Sequence, residues 1–308
     1  MIPSTIDTSI IICTRNRAKI LTSCLDSIWV SAQRCVAATN EVIVVDNGSS
    51  DDTRQVAESW FSAHDQCHGH VITENRVGLS NARNAGLSAS HGHLIIFIDD
   101  DCLMDPDYIQ RAIALDRCDT EPMLRGGAVH LGTNLDLPLT IKTSPTTANW
   151  SIKERSARHY NLGNAILGCN MVFRRSIYEQ LGPFDVNLGV GSKIPSAEDT
   201  DYIFRAYVSA ILLEYNPSLI VKHYHGRRLP VDARKLIINY TIGFGALYAK
   251  YMLKEPDLCR QLWWDLKKIP AEIIQRRNLF EPQYDLNFRQ KVAYALRGTY
   301  RYIFRQRR

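Results

Sequence analysis

Three consecutive carboxylates, Asp99-Asp100-Asp101, follow directly on the apolar run Leu94-Ile95-Ile96-Phe97-Ile98. Like charges this close repel, so the triplet is costly unless a cation or a set of donors offsets it. Along an extended chain the side chains alternate, which puts Asp99 and Asp101 on one side and Asp100 on the other. Two carboxylates on one side suit a hard divalent cation, Mg²⁺ or Mn²⁺, shared with substrate phosphates. Taken alone, the triplet fits a solvated acidic turn before a helix near Asp105-Pro106 better than a cation site, and the rest of the chain reverses that preference. A second acidic group, Glu198-Asp199-Thr200-Asp201, heads a helix-like stretch from about Asp199 to Ala210. Acids there favour a helix N-terminus whatever else they do. His223 and His225 follow the apolar Leu219-Ile220-Val221, and alternation puts both on one face, where at most one is a metal ligand.

These groups need a frame that brings distant segments together. An apolar run without alternation, such as 94–98, reads as a strand buried on both faces of a parallel sheet. Ser9–Cys13, Glu41–Val45 and Val71–Thr73 are further strands. Between them lie helical patterns at about Lys19–Gln33 (Ile20, Leu21, Cys24, Leu25 and Ile28 on one face), Asp52–Trp60 and Ser80–Ala89. Strands alternating with helices imply βαβ units, and the polar turns after the strands then share one sheet edge, where open α/β folds bind ligands. Those turns are Thr14-Arg15-Asn16-Arg17 and Asp46-Asn47-Gly48-Ser49-Ser50. Asp46 could accept a base N–H, such as N3 of uracil, or close an Asx turn. Gly48 and Gly78 allow tight turns and close ligand approach. Arg83, taken alone, reads as a surface helical arginine.

The middle is less regular. Leu124–Val129 is expected as a strand with a glycine kink, 132–158 as a loop or lid, and Ala165–Arg174 as a strand. Ser176–Gln180 is a short helix, Asn187–Pro195 a mobile Gly/Pro-rich loop, and an edge strand ends in Val221–His225. Beyond Arg228 the pattern is all-helical.

Composition bounds the class. A chain of 308 residues with 45% hydrophobic and 22% charged residues is ordinary for a globular protein with a sizeable core. Its net charge of +5 is uneven: residues 222–308 hold 19 of the 37 Lys/Arg but 7 of the 32 Asp/Glu. A basic tail on an acidic body points to an anionic partner, phospholipid or nucleic acid. The eight cysteines show no CxxC pair, and several (Cys13, Cys102, Cys169) sit in apolar segments, which suggests a reducing cytoplasm and no disulfide framework. The N-terminus lacks a basic and apolar leader, so export is not expected. The longest uncharged run of the tail, Leu236–Ala249, is 14 residues and too short to span a bilayer. Tryptophans beside lysines in Leu262–Ile269, Arg276-Arg277 and the final Tyr300–Arg308 suit a membrane surface, or a helical cap packed on the body.

Six segments, in order over roughly residues 8–225, resemble the family 2 glycosyltransferases of the GT-A fold. Ile10–Arg17 is similar to the family's opening strand and turn, Val44–Asp51 to its second strand end, and Asn75–Gly86 to the loop and helix before its metal strand. Asp99-Asp100-Asp101 sits where the family carries its DxD motif. Gly168–Arg175 with Leu181–Asp185 resembles acceptor-side segments, and Glu198–Tyr202 the acidic motif that supplies a catalytic base. The loop 186–196 lacks an aromatic often found before the acidic pair, which bears on acceptor type.

The resemblance implies an α/β chain of GT-A fold, a Rossmann-like, mostly parallel central sheet flanked by helices, with a helical C-terminal extension. It implies a GT-A domain over 1–228 (nucleotide part about 1–103, acceptor part about 104–228) and a basic extension over 229–308. The implied activity is inverting transfer of a sugar from a nucleotide-diphosphate sugar to a hydroxyl of a glycan, glycolipid or lipid-linked acceptor, in polysaccharide assembly. Thr14 and Arg15 would border base and ribose, with Arg17, Asp46, Gly48, Gly78 and Asp100 in the donor site. Arg83 would reach the diphosphate and Asp99 hold the ribose. Asp101 and, in preference to His225, His223 would hold Mn²⁺ or Mg²⁺. Asp199 would be the general base, with Glu198 orienting acceptor or base. The expected place is the cytoplasm, peripherally at the inner membrane face through 258–308, with no nucleic-acid partner and the oligomeric state open. Two rivals are weighed. A sugar-phosphate nucleotidyltransferase should carry a Gly-rich loop after its first strand, and Thr14-Arg15-Asn16-Arg17 has no glycine. A non-catalytic basic-tailed binding protein leaves Asp99, Asp101, Glu198 and Asp199 without purpose.

Overall fold

A computed structural model describes residues 6–153, 159–275 and 285–305. Strands β1 (Thr8–Thr14), β2 (Asn40–Asp46), β3 (Gly69–Thr73) and β4 (Leu94–Asp99) pair in parallel, in the order β3-β2-β1-β4. Helices α1 (Ala18–Arg34), α2 (Thr53–Ala63) and α3 (Leu79–Ala89) are the crossovers. The absence of alternation in these strands has a plain cause. Ile11, Ile43, Ile95 and Phe97 pack on one face with α3, while Ile10, Val42, Ile96 and Ile98 pack on the other with α1 and α2. Both faces are covered along the middle of β1, β2 and β4, so their central positions are apolar, while the edge strand β3 is only partly buried.

The acid triplet straddles a strand end and a turn: Asp99 closes β4, and Asp100 and Asp101 form the turn. Residues 102–104 reverse into a short strand, β5 (Cys102–Met104), which the sequence reading did not anticipate, before α4 (Tyr108–Cys118). The sheet then continues through β8 (Asn170–Arg174), antiparallel to β4, and β6 (Met123–Leu131), antiparallel to β8. The glycine kink expected in β6 is a register shift between Gly127 and Ala128. There a Cβ on Gly127 would lie 1.8 Å from the Leu219 carbonyl oxygen, so only glycine fits the crossing.

Several expectations are corrected. The strand read over 165–174 is confined to β8, because Asn170 N–H turns back to the Leu167 carbonyl at 3.0 Å. Strand β9 (Leu212–His223) is not an edge: β6 flanks it on one side, and β5 and β7 (Ala148–Trp150), a strand inside the expected loop, pair along it too. The glycine-rich loop 187–195, expected to be mobile, is tied to the start of α3. Leu79 N–H donates to the Val190 carbonyl (2.9 Å) and Ser80 Oγ to the Leu188 carbonyl (2.7 Å).

Helices α5 (Arg175–Leu181) and α6 (Glu198–Val208) complete the body, and α7 (Pro230–Tyr251), α8 (Arg260–Gln275) and α9 (Phe288–Arg305) follow β9. Ile242, Ala246 and Leu247 of α7 share one hydrophobic cluster with Phe97 and Phe173 of the sheet. Buried Asp201 of α6 takes Lys250 Nζ at 2.8 Å and the Tyr251 hydroxyl at 2.7 Å, fastening α7 to the body. Helix α8 is inverted: Asp265 and Glu272 are buried while Trp263, Trp264, Leu266, Ile273 and Ile274 face outward. Arg276, Arg277, Arg307 and Arg308 lie outside the described residues. No described helix is long and apolar enough to cross a membrane.

Candidate active site

The carboxyl ends of β1 and β4, the N-termini of α3 and α6, the end of β9 and the first turns of α7 enclose a cavity of about 670 Å³. Its position follows from the topology: parallel strands deliver their turns to one edge, where open α/β sheets bind ligands.

Asp99, Asp101 and His223 come together there, each with a ligand atom within 4.8 Å of the others. The turn after β4 and the pairing of β5 with β9 produce this meeting. His223 Nε2 lies 3.2 Å from Asp101 Oδ1, and His223 Nδ1 lies 3.3 Å from Thr140 Oγ1. Burial alone would lower the imidazole, but the Asp101 hydrogen bond and nearby negative charge push it up to about 9. Burial likewise works to raise Asp101, yet the bond and charge of His223, helped by Arg17 and Arg227, hold it below the usual carboxylate range. Asp99 goes the other way: burial raises it, and Arg83 offsets only part. Two carboxylates and an imidazole form a donor set that suits Mn²⁺, so the residues fit a divalent cation. His225 does not compete: its Nε2 lies 3.1 Å from the Leu137 carbonyl and its Nδ1 accepts Arg227 N–H at 3.0 Å.

Asp100 lines the same cavity, and the triplet turns there instead of alternating as an extended chain would. It accepts Thr14 Oγ1 at 2.7 Å, sits 3.8 Å from Arg17 Nε, and burial pushes it up to about 7. Arg17 also lies 3.8 Å from Asp101, and exposed Arg15 lines the same wall. Gly78, with φ +141, lines the cavity and donates its N–H to Asn47 Oδ1 at 2.8 Å. Asp46 and Gly48 do not appear among the residues lining the cavity. Asp46 closes its own turn, its Oδ1 accepting the N–H of Ser49 three residues on at 3.1 Å, and Gly48 supplies a φ of +68 within it.

Arg83 is not a surface residue. It is 2% exposed, between the Phe97 and Phe184 rings, with Glu198 Oε1 at 3.3 Å, the Gly168 carbonyl at 3.2 Å and Asp99 Oδ1 at 3.7 Å. Glu198 and Asp199 open α6 after Ala197, whose left-handed φ of 74 swings the chain into the helix. They therefore sit at a helix N-terminus and in the cavity at once. Burial, then the Asp199 charge, pushes Glu198 up to about 7. Asp199 Oδ1 accepts Thr200 N–H at 2.6 Å, and Oδ2 accepts Gly168 N–H at 3.2 Å.

Sequence reasoning missed four contributors: Asn47, Arg227, Lys235 and Tyr240. Asn47 braces the loops, donating to the Glu74 and Arg76 carbonyls at 2.8 and 2.9 Å. Arg227, read only as tail charge, lines the cavity with a buried Nη1 that lacks a hydrogen-bond partner. Lys235 and Tyr240 enter from α7. The local signal for Arg227 was its place two residues after the histidine pair, which means nothing until β9 delivers it to the cavity.

Residues 9–182 match glycosyl transferase family 2. The chain belongs to this family. AglE, a glycosyltransferase of Haloferax volcanii, is 28% identical over 194 residues, covering 60% of this chain and 58% of the relative. The glucosyl-dolichyl phosphate glucuronosyltransferase of the same organism is 26% identical, covering 54% of this chain and 53% of its own. The matched segments thus span little more than half of these relatives. Among solved structures, the mannosyltransferase PcManGT of Pyrobaculum calidifontis, in complex with GDP-Man and Mn²⁺, aligns at TM-score 0.63 and 17% identity, covering 99% of this chain and 89% of that one. S. aureus TarS in complex with UDP-GlcNAc aligns at TM-score 0.56 and 19% identity, covering 88% of this chain and 78% of that one. These likenesses establish the α/β fold of this family 2 chain, with its helix-flanked central sheet. Its chemistry has to be argued from the cavity.

Proposed function

We propose that this chain is an inverting glycosyltransferase that moves a sugar from a nucleotide-diphosphate sugar to an acceptor hydroxyl. The observation that carries this reading is the linkage of two carboxylate groups through one buried arginine. Arg83 contacts Asp99 of the cation set and Glu198, and through Gly168 it reaches Asp199.

In this reading Thr14, Arg15 and Gly78 border base and ribose. Asp99 holds the ribose. Asp101 and His223 hold Mn²⁺ or Mg²⁺, which when bound supplies positive charge to the departing diphosphate. Arg83, Arg17 and the unpartnered nitrogen of Arg227 add fixed cationic donors for the same charge. Asp199 takes the proton of the acceptor hydroxyl as its oxygen bonds to the anomeric carbon. The carbon–oxygen bond to the diphosphate breaks with its electron pair, and the configuration inverts without a covalent enzyme intermediate. Glu198 orients Asp199.

The proposed division of labour places the donor within about 1–103 and the acceptor within 104–228, with α7 closing the cavity. The acceptor class, a glycan or lipid-linked hydroxyl, is suggested by the dolichyl phosphate relative. The outward apolar and basic face of α8 suits attachment at an anionic membrane surface near such an acceptor.

Calorimetric titration with UDP, GDP and dTDP sugars, with and without Mn²⁺, tests the reading. Cation-dependent binding of one of them, lost in Asp101→Ala, is expected. Failure of all three to bind would overturn it.

A further inference from the structure

His223 belongs to two donor sets, and the proposed donor chemistry uses only one. Beside it lie Cys102 and Cys169, whose sulfurs and an imidazole nitrogen of His223 are all within 4.8 Å of one another. The placement is built into the sheet. Cys102 stands directly opposite His223 in the β5–β9 pairing, so the two side chains share a face. Cys169 ends the turn before β8 and lines the cavity, which gives the group a path to solvent. Cys102, Cys169 and His223 are 0%, 6% and 6% exposed, and all eight cysteines of the chain are free.

We infer that Cys102, Cys169 and His223 form a second metal site, selective for a thiophilic divalent cation such as Zn²⁺. Two sulfurs and one nitrogen are the ligands of an open zinc site, with a fourth position left for water. At Zn–S of about 2.3 Å and Zn–N of about 2.0 Å, tetrahedral ligands lie about 3.5–3.8 Å apart, so contraction by about 1 Å completes the site. Binding releases the two thiol protons to solvent and involves no redox change. Asp99 and Asp101 offer oxygen to a hard cation, whereas the two sulfurs offer the softer donors that Zn²⁺ prefers to Mg²⁺ or Mn²⁺. One imidazole cannot serve both sets at full strength. Zn²⁺ at the sulfur site therefore antagonises Mn²⁺ at the carboxylate site. That antagonism rests on the donor-site reading above; the sulfur site does not.

Co²⁺ titration of the purified chain followed by absorption is the test, because thiolate-to-cobalt charge transfer gives a near-ultraviolet band that oxygen and nitrogen ligands do not. One equivalent of Co²⁺ should produce the band, and Zn²⁺ should remove it. Asp101→Asn should keep it. Cys169→Ser and Cys169→Ala, each checked for native circular dichroism, should weaken binding at least about as much as the 100-fold lost with an outer-sphere partner. Mn²⁺ binding, read by electron paramagnetic resonance, should persist in Cys169→Ser and become insensitive to Zn²⁺. A native chain without the band, or a band unchanged in both Cys169 variants, overturns the inference. The band present with no Mn²⁺ binding at all would uphold the sulfur site and count against the donor-site reading.

Discussion

The backbone N–H of Gly168 donates to Asp199 Oδ2 over 3.2 Å, while the Gly168 carbonyl accepts from Arg83 at 3.2 Å. One residue thus aims the proposed base through its N–H and anchors Arg83 through its carbonyl. A Cβ on Gly168 would lie 2.8 Å from Asp199 Oδ2 and 3.0 Å from Arg83 Nη2. Gly168→Ala should therefore displace Asp199 with little effect on the fold. A displacement of this size is expected to lower kcat by about 10²-fold, with donor affinity held. Steady-state kinetics beside calorimetry would show the split.

Asp199→Asn keeps the shape but cannot take a proton. Transfer should fall by about 10²–10⁴-fold, the usual contribution of a general base, while nucleotide binding stays within a few-fold of native. Near-native turnover in this variant would remove Asp199 from the role.

Glu198, pushed up to about 7 by burial and the Asp199 charge, is protonated on the acid side of neutrality. As pH rises through 7 it ionises, pairs fully with Arg83 and makes Asp199 more basic. The pH profile of kcat/KM should therefore rise on its acid limb with a midpoint near 7. In Glu198→Gln that limb should move down toward the ordinary carboxylate range. An unchanged limb would assign the midpoint to another group.

Helices α7 and α9 cross through reciprocal glycines: a Cβ on Gly298 would fall 1.9 Å from the Ile242 carbonyl oxygen, and one on Gly245 1.8 Å from the Ala295 carbonyl oxygen. Both obstacles are backbone and cannot rotate away. Gly298→Ala should cost about 1–3 kcal/mol of stability, the range for overpacking, read from urea denaturation.

Trp263 and Ile274, 63% and 80% exposed, lie on one outward face of α8, with the Lys267 ammonium 5.6 Å from the Trp263 ring. The native chain should float with vesicles containing anionic lipid, and salt or Trp263→Ser with Ile274→Ser should release it. A concentration-dependent dimer that fails to float would assign the face to a second copy instead.

Much of this was legible in the residues themselves. Strands at 9–13, 41–45 and 94–98 announced a parallel sheet because burial on both faces favours unbroken apolar runs, and 71–73 adds a partly buried edge strand. The acid triplet raised the expectation of a cation, because adjacent carboxylates need an offset. Asp99 and Asp101 meet His223 through the turn after β4, a relation that strand alternation does not supply. Local chemistry left Asp46 open between a base contact and a turn-closing role, and its carboxylate closes the turn onto Ser49 N–H. What sequence could not supply was any relation that depends on a crossing of distant segments. Arg83 looks like a surface arginine until α6 and the turn before β8 close over it. Arg227 looks like tail charge until β9 brings it beside Asp101. His223 rather than His225 faces the carboxylates because β5 pairs with β9, a three-residue strand too short for a periodic signal. Periodicity records which face of an element is buried; only the packing of elements decides what stands across the gap.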